Sequence, residues 1–218
     1  MKYYIMLLLT CVVVANNQYP TQEQLDKMLH QAFELVWQEA MKAKQTINNT
    51  DAVIYNIGII RQFPKKGITF EAMHFECARH CMEAAERLGV KRFILMSANG
   101  VKYNGTLYQS TKFLAEQYLK NTELEWTIFR PSLIFGDPKG KQEFCSQLRD
   151  DMLSLPLPAP LFFEGLIPWT AGQSEMSPIH IKDVAVFFVK ALNIGKTIGE
   201  IYELGGPKSY TWMELIDL

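Results

Sequence analysis

Short apolar runs and amphipathic stretches alternate along the chain from Asp51 onward. The runs end at turn-forming residues, as buried strands do, whereas the stretches between them repeat apolar residues every three or four positions, as helices do. In chain order the predicted strand, helix, strand, helix and strand are Asp51–Gly58, Ile68–Leu88, Arg92–Ser97, Tyr108–Asn121 and Trp126–Arg130. This alternation predicts an α/β fold in which helical crossovers connect the strands of a parallel sheet.

The first residues of the chain form a separate apolar run, Tyr3–Ala15, behind Lys2. The run is shorter than the about 20 apolar residues that a transmembrane helix needs. Two interpretations stay open. One is a secretory signal peptide that is cleaved after Ala15, and the other is a buried strand favoured by the β-branched Val12–Val14.

An amphipathic helix is predicted after this run. Thr21 supplies the N-cap, Gln24 completes a capping box, and apolar residues follow helical spacing as far as Ala40. We therefore divide the chain into an atypical N-terminal segment, residues 1–50, and a core with a small C-terminal lobe, residues 51–218.

Composition narrows the class of protein. Hydrophobic residues make up 48% of the chain and charged residues 21%, which is typical of a globular protein. The formal net charge of −1 provides no general attraction to nucleic acid or to anionic membranes. We therefore expect no nucleic-acid partner, and no membrane association unless the N-terminal run acts as a signal or an anchor.

The cysteines raise the question of a metal site. Cys77 and Cys81 lie four positions apart in a predicted helix, with His74 and His80 in the same stretch. No second pair of cysteine or histidine residues follows at the spacing of zinc sites, and free cysteine is commonly buried. We therefore predict that the two thiols pack in the core and that the chain holds no metal, and a metal-sensing or redox-sensing module ranks last among the hypotheses.

Polar and small residues follow the predicted strands. Asn56 and Gly58 end the first strand, Ser97 ends the second, and Arg130 and Pro131 end the third. Ligands of parallel α/β sheets bind beyond the carboxyl ends of the strands, so these residues are candidates for a binding site.

Four ordered motifs carry a resemblance to a known family. They are Tyr108–Lys112 (YQSTK), Arg130–Gly136 (RPSLIFG), Ser177–Ala185 (SPIHIKDVA) and Ile201–Gly206 (IYELGG). Together they resemble the extended short-chain dehydrogenase/reductases, which include NAD-dependent epimerases and dehydratases. The segment Met96–Gly100 is most similar to the atypical branch that includes the 39-kDa-type accessory subunit of respiratory complex I. The resemblance implies a Rossmann-like sheet, here incomplete, and a small C-terminal substrate lobe.

The resemblance also implies an acid/base pair. Tyrosine and lysine four positions apart share one face of a helix, and a nearby ammonium lowers the pKa of a phenol. Tyr108 would exchange a proton with the substrate while a nicotinamide exchanges a hydride, and Lys112 would tune Tyr108 and bind the nicotinamide ribose. Ser97 would supply the third catalytic group, although Ala98 occupies the position of the usual catalytic serine. Asn99, Thr106 and Ser110 are the alternatives for that third group.

The implied cofactor is NAD or NADP. Asn56–Gly58 would line the adenine side of its pocket, and Arg130, Pro131, Ser132 and Leu133 would line the nicotinamide side. Farther along, His180 and Asp183 would lock the small lobe onto the sheet rather than act in catalysis.

The position of the first glycine argues against a complete cofactor site. A dinucleotide fold uses a glycine-rich turn to bring backbone amides to the pyrophosphate, but the first glycine of this chain is Gly58. Two functions therefore stay open. One is an NAD(P)-dependent oxidoreductase or epimerase, and the other is a non-catalytic accessory or assembly subunit, or a truncated relative, with weak or no cofactor binding. The expected partners are the dinucleotide and a small-molecule substrate, or a protein complex. The expected location is the cytoplasm or an organellar matrix, or the secretory route if residues 1–15 are a signal peptide.

Overall fold

The computed structural model describes residues 50–60, 62–136 and 173–216. The apolar run Tyr3–Ala15, the predicted helix after Thr21, Cys11 and Cys145 lie outside these residues. The predictions made for them, including the boundary at residue 50, therefore stay predictions.

The described strands, in chain order, are β1 (Ala52–Tyr55), β2 (Arg92–Met96), β3 (Glu125–Pro131), β4 (Ile134–Phe135), β5 (Glu175–Met176), β6 (Ile179–His180), β7 (Glu200–Leu204) and β8 (Tyr210–Thr211). Four of them form a sheet in the order β1-β2-β3-β7, and every pairing in this sheet is parallel. The parallel sheet with helical crossovers is therefore confirmed.

The described helices, in chain order, are α1 (Cys77–Leu88), α2 (Leu107–Lys120), α3 (Ile181–Ala191) and α4 (Trp212–Ile216). A π-helical turn, Glu71–Glu76, leads directly into α1, and Gly89 ends that helix in the left-handed conformation with φ 74°. This π-helical turn starts three residues after the predicted helix start at Ile68, because Ile68 pairs with Phe63 in a β-bridge around a 3₁₀ turn, Pro64–Lys66. None of the described helices is both long and apolar enough to cross a bilayer.

The two faces of the sheet are covered by different helices. Phe93 and Ile94 are both fully buried and point to opposite faces, as consecutive strand residues do. Phe93 joins the cluster that packs under α1 and α2, and Ile94 joins the cluster that packs under α3. The parallel strands therefore lie between helical layers, and their carboxyl ends are the edge at which a ligand can bind.

A buried arginine at the start of β2, the end of the strand opposite the binding edge, forms hydrogen bonds to neighbouring elements. The guanidinium of Arg92 donates to Thr127 Oγ1 at 2.7 Å, to Ala191 O at 2.8 Å and to Thr197 Oγ1 at 3.0 Å. Burial lowers the pKa of this guanidinium, while Glu125 raises it. Since Ala191 ends α3, its carbonyl stabilises the cation as the negative end of a helix dipole. Arg92 therefore has a structural role.

The C-terminal lobe begins where β3 ends. β4 pairs in parallel with β6, and β5 pairs with β8 in antiparallel. Gly206 lies against this lobe so closely that a Cβ atom would overlap the carbonyl oxygen of Pro178. His180 caps α3 by accepting a hydrogen bond from Lys182 N at 3.2 Å, and its role in fixing the lobe onto the sheet stays a prediction.

Candidate functional site

The N-terminus of α2 places the tyrosine and the lysine of the sequence motif. Thr106 and Gln109 form a capping box, which fixes the first turn of the helix next to the edge of the sheet. Lys112 lies one turn after Tyr108, and its Nζ is 5.7 Å from the centre of the Tyr108 ring. The predicted pair is therefore brought together on one face of α2.

Lys112 is buried, with 7% of its surface exposed, and its Nζ donates to Met96 O at 3.3 Å. Burial lowers the pKa of this ammonium to about 8, although the nearby carboxylate of Glu116 raises it. A lysine with this pKa exchanges protons near physiological pH, as functional lysines do.

The pKa of Tyr108 moves in the direction opposite to the sequence prediction. Burial of the largely buried ring raises the pKa of its phenol above 10.0, and the predicted lowering by Lys112 is not found. The reason is that Lys112 approaches the ring at 5.7 Å while desolvation acts on the hydroxyl itself. Tyr108 is therefore a protonated phenol at neutral pH.

Two buried polar atoms at the ends of β1 and β2 have no hydrogen-bond partner within the described part of the chain. They are Asn56 Oδ1 and Ser97 Oγ. Ser97, which is 4% exposed, lines a small cleft together with Ile57, His74 and Lys112. Because buried polar atoms in native proteins are almost always paired, these two mark a place where a polar ligand is expected.

Gly58 lies close to two residues that line this cleft. A Cβ atom at this position would lie 3.5 Å from Lys112 Nζ and 3.8 Å from His74 Nε2. Both distances are ordinary van der Waals contacts, so a side chain at position 58 would touch Lys112 and His74. The assignment of Asn56–Gly58 to the adenine side of a cofactor pocket stays a prediction.

The residues predicted to line the nicotinamide side of the pocket form contacts within the protein. The guanidinium of Arg130 forms two bonds to Glu116, at 2.9 and 2.6 Å, and lies 3.6 Å from Glu203. Pro131 is buried at the end of β3. Both Ser132 and Leu133 hold the lobe, since Ser132 Oγ accepts from Ser177 N at 3.2 Å and Leu133 O accepts from Ile179 N at 2.8 Å. A cofactor role for these four residues stays a prediction.

The three alternatives to Ser97 as the third catalytic group do not line the cleft. Thr106 is used as the helix cap and Ser110 Oγ donates to Leu107 O at 3.3 Å, while Asn99 is exposed. Of these four candidates, Ser97 is therefore the one that lines the cleft with Lys112.

His74 also lies in this site, although the sequence did not mark it as a candidate site residue. Its buried ring stacks on Phe70 and meets Tyr108 edge-on, with ring centres 5.1 Å apart in both pairs. The sequence marked His74 only as a companion of Cys77 and Cys81. Those thiols are buried, and burial raises their pKa values to about 11 and about 12. Within the described ranges no three metal-binding side chains cluster.

Known proteins share sequence similarity with this chain. A family model described as NAD(P)H-binding matches residues 11–152. The chain is 29% identical over 176 residues to the mitochondrial NADH-ubiquinone oxidoreductase 40 kDa subunit of Neurospora crassa, covering 80% of this chain and 42% of that protein. It is 31% identical over 139 residues to the photosystem II assembly factor Ycf39 of Guillardia theta, covering 63% of this chain and 39% of that protein. The chain thus spans about two fifths of the length of these curated relatives.

A solved structure shares the fold. It is the UDP-glucuronic acid 4-epimerase of Bacillus cereus in complex with UDP-glucuronic acid and NAD, with a TM-score of 0.62 and 20% sequence identity. The match covers 81% of this chain and 60% of the epimerase. The predicted resemblance to atypical, extended short-chain dehydrogenase/reductases is confirmed. The chain belongs to the NAD(P)H-binding family and has the Rossmann-like fold of the short-chain dehydrogenase/reductases.

Proposed function

We propose that the chain binds a nicotinamide dinucleotide, NAD or NADP, at the carboxyl ends of β1 and β2 and acts as an oxidoreductase or epimerase on a small molecule. The observation that carries the proposal is the burial of Lys112 beside Ser97 in one cleft. Burying an ammonium is costly, and among the described residues Lys112 has the long bond to Met96 O, the charge of Glu116 and the face of the Tyr108 ring at 5.7 Å to offset that cost. A ligand with hydroxyl groups would supply the missing partners.

The residues present fit the ribose of a nicotinamide nucleotide. Its hydroxyl groups both donate and accept hydrogen bonds, so they complement an ammonium donor at Lys112 and an oxygen acceptor at Asn56 Oδ1. Gly58 adds no side chain next to the lysine, so the approach of a sugar ring would not meet one at this position. A bound nicotinamide would supply or accept the hydride.

The raised pKa of Tyr108 favours one direction of proton transfer. A phenol that is protonated at neutral pH acts as an acid, so Tyr108 would donate its proton to a substrate oxygen during carbonyl reduction. The tyrosinate that forms would be stabilised by the ammonium of Lys112, and Ser97 would hold the substrate oxygen through its free hydroxyl.

Cofactor titration tests the proposal. NADH and NADPH are titrated separately into the full chain by fluorescence or calorimetry, with Lys112→Met as the test variant and Lys120→Met as the control. The control removes the same charge two turns further along α2. We expect micromolar binding that is lost in Lys112→Met and kept in Lys120→Met. Wild-type protein that binds neither dinucleotide at millimolar concentration would refute the cofactor site.

A second candidate function is that of a non-catalytic accessory or assembly subunit. It is favoured by the similarity to a complex I subunit and to a photosystem II assembly factor. The same titration separates the two functions, since this candidate expects no binding, or binding that leaves carbonyl substrates unreduced.

The same relatives support a proposal for the cellular setting. Mitochondrial relatives favour an organellar matrix over the secretory route, with the cytoplasm as the other setting. N-terminal sequencing of the expressed protein tests this, because a chain that keeps Lys2 has not been cleaved after Ala15.

A further inference from the structure

His74 lies at the junction of three parts of the site. It belongs to the π-helical turn Glu71–Glu76, and 2% of its surface is exposed. One of its ring nitrogens faces α2, where Nδ1 lies 3.2 Å from Thr111 Oγ1. The other faces the segment after β1, where Nε2 lies 3.1 Å from Ile59 N. The edge-on contact with Tyr108 completes the arrangement.

The hydrogen-bond network assigns the proton of this ring to Nδ1. Thr111 Oγ1 donates its single proton to Leu107 O at 2.7 Å, so it can only accept from His74. Nε2 is then left with a lone pair, which accepts the amide proton of Ile59. Ile59 O also lies 3.0 Å from Nε2, but a bond to it would leave the amide of Ile59 unpaired, which costs more than an underused carbonyl.

A ring used in this way cannot act as an acid or a base. Both nitrogens are occupied within the protein, and burial together with the charge of Lys112 lowers the pKa of His74 to about 3. The groups that face the ring are the ammonium of Lys112, the phenol of Tyr108 and the hydroxyl of Thr111. Among the described residues no carboxylate raises its pKa, and the backbone contact with Ile59, which does raise it, is outweighed, so the ring stays neutral at physiological pH.

We infer that His74 is a positioning residue, a neutral clamp that holds the Gly58–Ile59 segment at a fixed distance from Tyr108 and Lys112. The inference rests on the proposed function, because this distance defines the space for the nicotinamide ribose. It is carried by the two hydrogen bonds of the ring, by its edge-on contact with Tyr108, and by the position of Gly58 between His74 Nε2 and Lys112 Nζ.

Two substitutions at His74 separate hydrogen bonding from packing. His74→Phe keeps an aromatic ring against Phe70 and Tyr108 but leaves the amide of Ile59 without an acceptor. His74→Gln loses the ring but can place an amide oxygen near the position of Nε2. We expect about a tenfold loss of NADH affinity in His74→Phe, with most of the loss restored in His74→Gln. The control is His80→Phe on α1, which we expect to bind NADH as the wild type does.

The ring itself gives a readout that a packing role would not change. ¹⁵N NMR of the imidazoles, with His74 assigned by its loss in His74→Gln, reports the tautomer and the charge. We expect the neutral Nδ1–H form from about pH 5 to about pH 8, and a change of tautomer in Thr111→Val but not in Thr111→Ser. Amide exchange at Ile59 should be slow in the wild type and fast in His74→Phe.

Three results would overturn the inference: a ring that titrates near the ordinary value of 6.5, an Nε2–H tautomer in the wild type, or unchanged NADH affinity in a folded His74→Phe protein. Wild-type protein that binds no NADH would refute the proposed function instead, and the imidazole spectrum and the exchange of Ile59 would then decide whether the clamp exists.

Discussion

Replacing Lys112 with methionine should stabilise the fold while it removes cofactor binding. The two side chains are similar in length, but methionine carries no charge into the core. Lys112 lies in a cleft with Ser97 and is 7% exposed, so its ammonium is held away from water in the ligand-free protein. A residue whose removal strengthens the fold and weakens binding is retained for function.

The pKa of Lys112 gives the size of the effect. A folded-state value of about 8 instead of 10.5 corresponds to about 3 kcal/mol of destabilisation at pH 7, where both the folded and the unfolded lysine are charged. The variant also loses the hydrogen bond to Met96 O, and this loss reduces its gain in stability by about 1 kcal/mol. We therefore expect Lys112→Met to be more stable than the wild type by about 2 kcal/mol at pH 7.

The effect has a defined dependence on pH. The folded protein loses its lysine proton at about 8 and the unfolded chain at 10.5, so the unfolded state binds more protons between these values. Wild-type stability therefore rises with pH in this window, and the advantage of the variant shrinks by about 2 kcal/mol between pH 7 and about pH 9.5.

Urea denaturation at the two pH values measures both quantities, with the tryptophans of the chain as the fluorescent probe. Lys120→Met serves as the control and should show neither the gain in stability nor its pH dependence. A Lys112→Met protein that is less stable than the wild type at pH 7, or a stability difference that is the same at both pH values, would refute the reasoning.

Three further predictions concern single contacts. Glu116→Gln breaks the buried ion pair with Arg130 and should cost about 3 kcal/mol in urea denaturation, whereas the exposed Glu203→Gln should cost less than about 0.5 kcal/mol. Thr106→Ala removes the cap of α2 and should lower stability by about 1 kcal/mol, with near-normal stability in Thr106→Ser as the check. Because His74 has a folded pKa of about 3 and an unfolded pKa of 6.5, acid unfolds the protein by protonating the unfolded chain. This effect of His74 should lower the free energy of unfolding of the wild type by about 2 kcal/mol between about pH 8 and about pH 5. His74→Gln lacks this contribution, so its free energy of unfolding should fall by about 2 kcal/mol less over the same pH range.

The sequence by itself determined the order of the elements and the position of the binding edge. Apolar runs such as that in Arg92–Ser97 are read from local periodicity, and Gly89 marks the end of α1 because a left-handed residue favours glycine. The Tyr108–Lys112 spacing places both side chains on one helical face whatever the rest of the chain does. The family and the parallel sheet follow from such local signals.

Only the tertiary structure decided how the side chains of the site interact. The pKa of Tyr108 depends on how deeply its hydroxyl is buried, which helical spacing does not report. The partner of Arg130 is Glu116, fourteen positions away on another element, and the partner of His74 is Ile59, fifteen positions away. These contacts arise because the sheet brings strand ends and helix N-termini together. Their energies depend on burial, which is a property of the whole fold.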